Sequence, residues 1–165
     1  MVYRRIWRGV GGCRRNSRNL FLDKAGRVGK AIMLTAYVSV SFKQKDKLTR
    51  ELDVIAHVLK DFNLAPFVFV NNYLFTSQEE QRMMQQAMDD IDKCDLFIAE
   101  TSEKAIGIGV EAGYAKAKGK PVIYLRNHKA EHSTTVAGIS NFQIIYDDVN
   151  DLERQLQAAI AQIFR

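Results

Sequence analysis

The 165-residue chain is poor in several residue types, and each scarcity removes a class of protein. Its two cysteines, Cys13 and Cys94, cannot build a disulfide framework or a four-cysteine zinc site, so a reducing compartment is expected, the cytoplasm by default. Two prolines beside 47% hydrophobic residues exclude the composition of a disordered chain. No apolar run approaches the roughly 18–20 residues of a membrane span, so no membrane partner is expected. A Gly-x-Ser-x-Gly elbow and a Walker loop are both missing. Of three histidines, His128 and His132 are four apart in a stretch that reads as loop, with no third ligand in view. No metal or other cofactor is therefore expected.

Acidic residues are scarce in one place only. Residues 1–32 carry nine Lys and Arg against Asp23 alone, a local charge of +8, while residues 33–165 sum to −3. The net +5 thus belongs to a glycine-containing basic tail that reads as flexible, and residues 33–165 form the domain. The tail's Arg-rich composition fits either translated upstream sequence, Met33 standing just before the first strand, or an organellar transit peptide. A domain of negative net charge without an aromatic–basic platform is not expected to bind nucleic acid.

From Met33 onward, apolar β-rich runs alternate with helical spacing. Strands are expected at 34–40, 66–70, 95–99, 121–125 and 142–146. Helices are expected at 45–62, 78–93 and 110–118, with a last helix capped by Asn150 and Glu153. This alternation implies an α/β fold, a flavodoxin- or Rossmann-like three-layer sandwich around a five-stranded parallel sheet. Ligands of such folds bind beyond the carboxyl ends of the strands.

One loop there carries an unusual grouping. Between the third strand and the next helix runs Thr101–Tyr114, TSEKAIGIGVEAGY. Gly107 and Gly109 are expected where the backbone turns tightly and a ligand approaches closely. The pattern imitates a dinucleotide fingerprint, but it follows the third strand, and Glu111 would stand where a pyrophosphate should sit. In the first turn of a helix the dipole would keep Glu111 ionised, as attack on an anomeric carbon requires. Glutamate is also common in first turns for the dipole alone.

Residues Asp95–Leu125, DLFIAETSEKAIGIGVEAGYAKAKGKPVIYL, resemble the nucleoside 2-deoxyribosyltransferases and the related 2'-deoxynucleoside 5'-phosphate N-hydrolases. Those proteins share a strand, a variable loop, Gly-x-Gly-x-Glu-x-Gly, and a short helix ending in Gly-Lys-Pro before the next strand. The resemblance makes Glu111 the nucleophile that takes the sugar from the base, and Tyr37 the tyrosine beside it. It implies a nucleoside or nucleotide substrate. Ser39 and Ser41 replace glycines common after that tyrosine. Ala87 stands where the family carries an aspartate that assists the leaving base, with Asp89 and Asp92 facing elsewhere on the helix. Ala105 stands where the phosphohydrolases hold the 5'-phosphate with serine, and Lys104 could supply a cation instead. The loop His128–Ile139 corresponds to a region that reaches a second subunit, so a homo-oligomer is expected, with Ser133, Thr134 or Thr135 near the neighbour's ligand. The Met83–Met88 helix and the helix after Glu111 are expected to face that partner. The changes at Ala87 and Ala105 leave a second expectation open, a nucleotide-sensing module that binds without turnover.

Overall fold

Side chains alternate across a strand, and that parity decides how this chain buries itself. The computed structural model describes residues 19–22, 28–31, 33–43 and 45–164. Strands β1 (Asn19–Leu22) and β2 (Val28–Ala31) pair antiparallel, so part of the basic segment forms a two-stranded ladder instead of a featureless tail. The rest of the expected flexible tail, and Cys13 with it, lies outside the described residues.

The domain then runs β3 (Leu34–Ser39), α1 (Thr49–Asp61), β4 (Leu64–Val68), a single turn α2 (Phe69–Asn72), α3 (Glu80–Lys93) and β5 (Leu96–Glu100). It continues with α4 (Ile106–Ala117), β6 (Val122–Asn127), the short α5 (Thr134–Ile139), β7 (Phe142–Tyr146) and α6 (Val149–Ile163). The sheet order is β4-β3-β5-β6-β7, with every neighbouring pair parallel. On one face Val38, Ile98, Ile123 and Leu125 pack with Ile55 and Leu59 of α1 and Leu152, Leu156 and Ile160 of α6. The intervening residues Tyr37, Phe97, Ala99 and Tyr124 meet Ala87 and Ile91 of α3, Ile108 and Ala112 of α4, and Val136 of α5. Each fully buried leucine or isoleucine contributes about 1.5–3 kcal/mol, which makes these two faces the main source of stability. The three-layer α/β sandwich is as the sequence implies.

Local departures have physical reasons. Asn63, with φ 58°, ends α1 in the left-handed region, which frees Leu64 to begin β4 two residues before the expected strand. Pro66 lies within β4, where its missing N–H is tolerated because β4 is an edge strand. Gly119, φ 72°, ends α4: its N–H reaches the Lys116 carbonyl at 3.0 Å, and that of Lys120 reaches Ala115 at 3.0 Å. Asp148, not Asn150, caps α6, its carboxylate accepting the backbone N–H groups of Asn150 and Asp151 at 2.9 Å each. The segment His128–Ile139, expected as a loop, contains α5, whose Val136 and Ala137 are buried.

Candidate active site

β3 is followed by an edge strand on one side and by β5 on the other, so the chain changes direction between β3 and β5. In folds of this kind ligands bind at such a point, beyond the strand ends. Tyr37 and Ser39 share a strand face by parity, and both point toward α4. Glu111 of α4 lies against them. The Tyr37 hydroxyl donates to Glu111 Oε1 at 3.2 Å, and the Ser39 hydroxyl donates to Oε2 at 2.5 Å. Both carboxylate oxygens are thereby oriented by groups from a neighbouring strand. Ser41 is also buried, just past the end of β3.

The electrostatics differ from the sequence-based expectation. Because α4 begins at Ile106, Glu111 lies in its second turn, beyond the reach of the first-turn dipole. Burial pushes the Glu111 carboxyl above its ordinary range, and the hydrogen bonds from Ser39 and Tyr37 oppose that rise. Tyr37 is pushed far up, first by burial and then by the charge and hydrogen bond of Glu111, so it remains a neutral donor. Gly107 and Gly109 are likewise helical, and a β-carbon at either would meet nothing within 4 Å. Tight turning therefore does not explain them; Gly107 is exposed on α4, while Gly109, half-buried on another side of it, faces the cavity between α4 and α5.

A cavity of about 450 Å³ lies between the start of α4 and α5; its walls include Thr101, Lys104, Ala105, Gly109, Ser133 and Thr135, and Tyr37, Ser39 and Glu111 are not among them. It offers one cation and three hydroxyls, a set suited to an anion. Lys104 Nζ faces Glu131 at 2.6 Å across its rim. Thr134 is not among the lining residues; Ser133 and Thr135 are, and they line a cavity of their own chain. The loop is tied to the sheet through Tyr124, whose hydroxyl accepts the Ser133 N–H at 3.0 Å.

A model of the nucleoside 2-deoxyribosyltransferase family matches residues 39–155, most of the chain. The chain belongs to this family. A protein of Syntrophotalea carbinolica named "Putative 2'-deoxynucleoside 5'-phosphate N-hydrolase 1" is 32% identical over 75 residues, 44% of this chain and 53% of that protein. One of the same name from Thermofilum pendens is 32% identical over 75 residues, 42% of this chain and 52% of that protein. The chain thus spans about half the length of the curated relatives it matches. Among solved structures, the Clostridium botulinum CMP N-glycosidase aligns with a TM-score of 0.55 at 22% identity, covering 74% of this chain and 98% of that one. The 2-deoxyribosyltransferase of Bacillus psychrosaccharolyticus aligns with a TM-score of 0.57 at 18% identity, covering 72% and 90%. At such identities these two likenesses concern the fold.

Two buried acids of this family member escaped the sequence reading. Asp90, on the same buried face of α3 as Ala87 and Ile91, has 0% exposure. Its period fits that apolar stripe, three residues after Ala87, and this was the available signal. Glu100 ends β5 with 0% exposure and accepts from Tyr146 Oη at 3.1 Å and from the Ser102 hydroxyl. Burial raises its pKa to about 7, against the lowering effect of those hydrogen bonds. An acid closing an apolar run reads equally well as the first residue of a loop, so Glu100 gave no signal. No helix among the described residues is long and apolar enough to cross a membrane.

Proposed function

We propose that the chain breaks the N-glycosidic bond of a 2'-deoxynucleoside or its 5'-phosphate, with Glu111 as nucleophile. The observation that carries this reading is the buried Glu111 carboxylate held by Tyr37 and Ser39 where β3 meets α4. Such a group suits attack on an anomeric carbon whose transition state resembles an oxocarbenium ion. Glu111 forms a C–O bond to the sugar while the C–N bond breaks, and its electron pair leaves with the base, which takes up a proton. Water or a second base then cleaves the glycosyl ester and regenerates the carboxylate. Tyr37 and Ser39 each orient one of the two carboxylate oxygens and oppose the rise in pKa that burial imposes.

The cavity lined by Lys104, Thr101, Ser133 and Thr135 suits the 5'-phosphate. The names of the curated relatives, which specify a 5'-phosphate substrate, support the same choice. Lys104 would exchange its partner Glu131 for the phosphate. A homo-oligomer is part of the proposal: Ile106 is 90% and Val110 46% exposed, and with Gly113 and Ala117 they line one side of α4 at helical spacing. Chromatography of deoxynucleosides and their 5'-monophosphates after incubation with the protein, with and without acceptor bases, tests the activity. Base release or exchange is expected from the wild type and is expected to disappear in Glu111→Gln; full turnover by that variant would refute the role of Glu111. The replacement of two family polar residues by Ala87 and Ala105 favours one other reading, a nucleotide sensor. Ligand-dependent thermal stabilisation without base release would identify it.

A further inference from the structure

The family's aspartate position is held by Ala87, yet a carboxylate is present one helical turn further along the same face. Asp90 is fully buried, within a region made by Tyr37, Phe67, Phe69 and Ile91. A buried charge is expensive to desolvate and is weak evidence for stability, since well-packed apolar residues often serve as well or better. Its cationic partner, Lys93, is 3.5 Å away and half-exposed. Asp90 Oδ2 accepts the Tyr73 hydroxyl at 2.8 Å and the Gln86 amide at 3.0 Å.

Those partners lead toward Glu111. The Tyr73 ring packs on Phe69 at 5.1 Å and Phe75 at 5.7 Å, and Phe69 stacks on Tyr37 at 6.0 Å. Tyr37 in turn donates to Glu111. The charge of Asp90 is also felt at Tyr37, adding to the effects of burial and of Glu111 on that phenol. Tyr73 and Phe75 are only half-buried, so this aromatic wall has an open side. A planar base can stack on such a surface without displacing the core.

Resting on the glycosidic reading above, we propose that Asp90 is a positioning residue of the catalytic centre: it fixes the Tyr73 ring, and with it an aromatic wall of Phe69, Tyr73 and Phe75 that seats the purine or pyrimidine base while Glu111 takes the sugar. Asp90 itself does not touch the substrate. The carboxylate missing at Ala87 is thus replaced by one that orients a ring.

The experiment compares the full chain with Asp90→Asn, Asp90→Leu, Tyr73→Phe and the Asp90→Asn/Tyr73→Phe double variant. It measures kcat and KM on deoxynucleoside 5'-monophosphates together with Tm. Asp90→Asn and Tyr73→Phe are each expected to lower kcat/KM by about tenfold or more, mainly through kcat, with the double variant no slower than the slower single one. Asp90→Leu is expected to melt at or above the wild-type temperature and to be equally impaired. Full kcat/KM in a folded Asp90→Asn or Asp90→Leu protein would overturn the role, as would additive losses in the double variant. Loss of the fold in both Asp90 variants would assign the residue to structure and overturn it too. A wild type that releases no base would instead refute the glycosidic reading on which this role depends.

Discussion

Removing the Ser39 hydroxyl probes how the protein opposes the effect of burial on Glu111, the proposed nucleophile. Ser39 donates to one oxygen of Glu111 and Tyr37 to the other, and both oppose the rise that burial imposes. A hydrogen bond to a charged group contributes about 1.5–3 kcal/mol. At about 1.4 kcal/mol per tenfold, Ser39→Ala should cost roughly ten- to a hundredfold in kcat/KM on the acid side of the profile. The sign follows from the chemistry: attack needs the ionised form, and losing a donor raises the Glu111 pKa further. The acid limb of kcat/KM should therefore move to higher pH. The deficit should shrink as pH rises, because a carboxylate with fewer donors is also a stronger nucleophile. Tyr37→Phe should shift the limb in the same direction but less, since its bond is longer. The assay is base release measured between about pH 5 and 9, a span wide enough to bracket a raised carboxylate. An acid limb unmoved or displaced to lower pH, or a deficit equal at every pH, would refute the reasoning.

Glu100 makes folding pH-dependent: its pKa is about 7 in the folded protein against 4.5 for the free side chain, so its contribution is fully present below about pH 4.5 and is lost as pH rises through 7. Denaturant unfolding should show stability falling over that window by at most about 3 kcal/mol from this group, and Glu100→Gln should remove that part of the slope while leaving the like-signed part from Glu111. Gly119→Ala places a β-carbon at φ 72° and should destabilise by about 1–2 kcal/mol in the same measurement, although no atom obstructs it; an unchanged midpoint would contradict the strain argument. Light scattering at micromolar concentration should give the proposed homo-oligomer for the wild type and a lower mass for Ile106→Asp; an unchanged mass would remove this face of α4 from the proposed interface.

Much of the frame was legible because it is periodic. The apolar runs of β3, β5 and β6 and the stripes of α1, α3 and α6 reflect burial on both faces of a parallel sheet, the edge strand β7 burying only alternate residues, and the elements fall within a few residues of expectation. The end of α1 falls within one residue of expectation, at the left-handed turn of Asn63, whereas the start of α6 was less legible, because Asp148 caps it although Asn150 and Glu153 match the pattern better. The local environment of Glu111 was not legible. Its motif can be read in the sequence, but the start of α4 at Ile106 and the packing against β3 together make burial, and not the helix dipole, the main influence on its charge. Asp90 shows the same limit from the other side. An acid in an apolar stripe reads as a solvated residue until Tyr73, seventeen positions earlier, is seen to reach it.

The central claim is that Glu111 carries the sugar between two bond-breaking steps. Rapid quenching of the protein during turnover of a 2'-deoxynucleoside 5'-monophosphate, followed by digestion and peptide mass spectrometry, tests it most directly. The account predicts a deoxyribosyl phosphate adduct on the peptide containing Glu111, present during turnover and gone after the substrate is consumed. Base released at full rate by Glu111→Ala, with no adduct on the wild-type peptide, would contradict it.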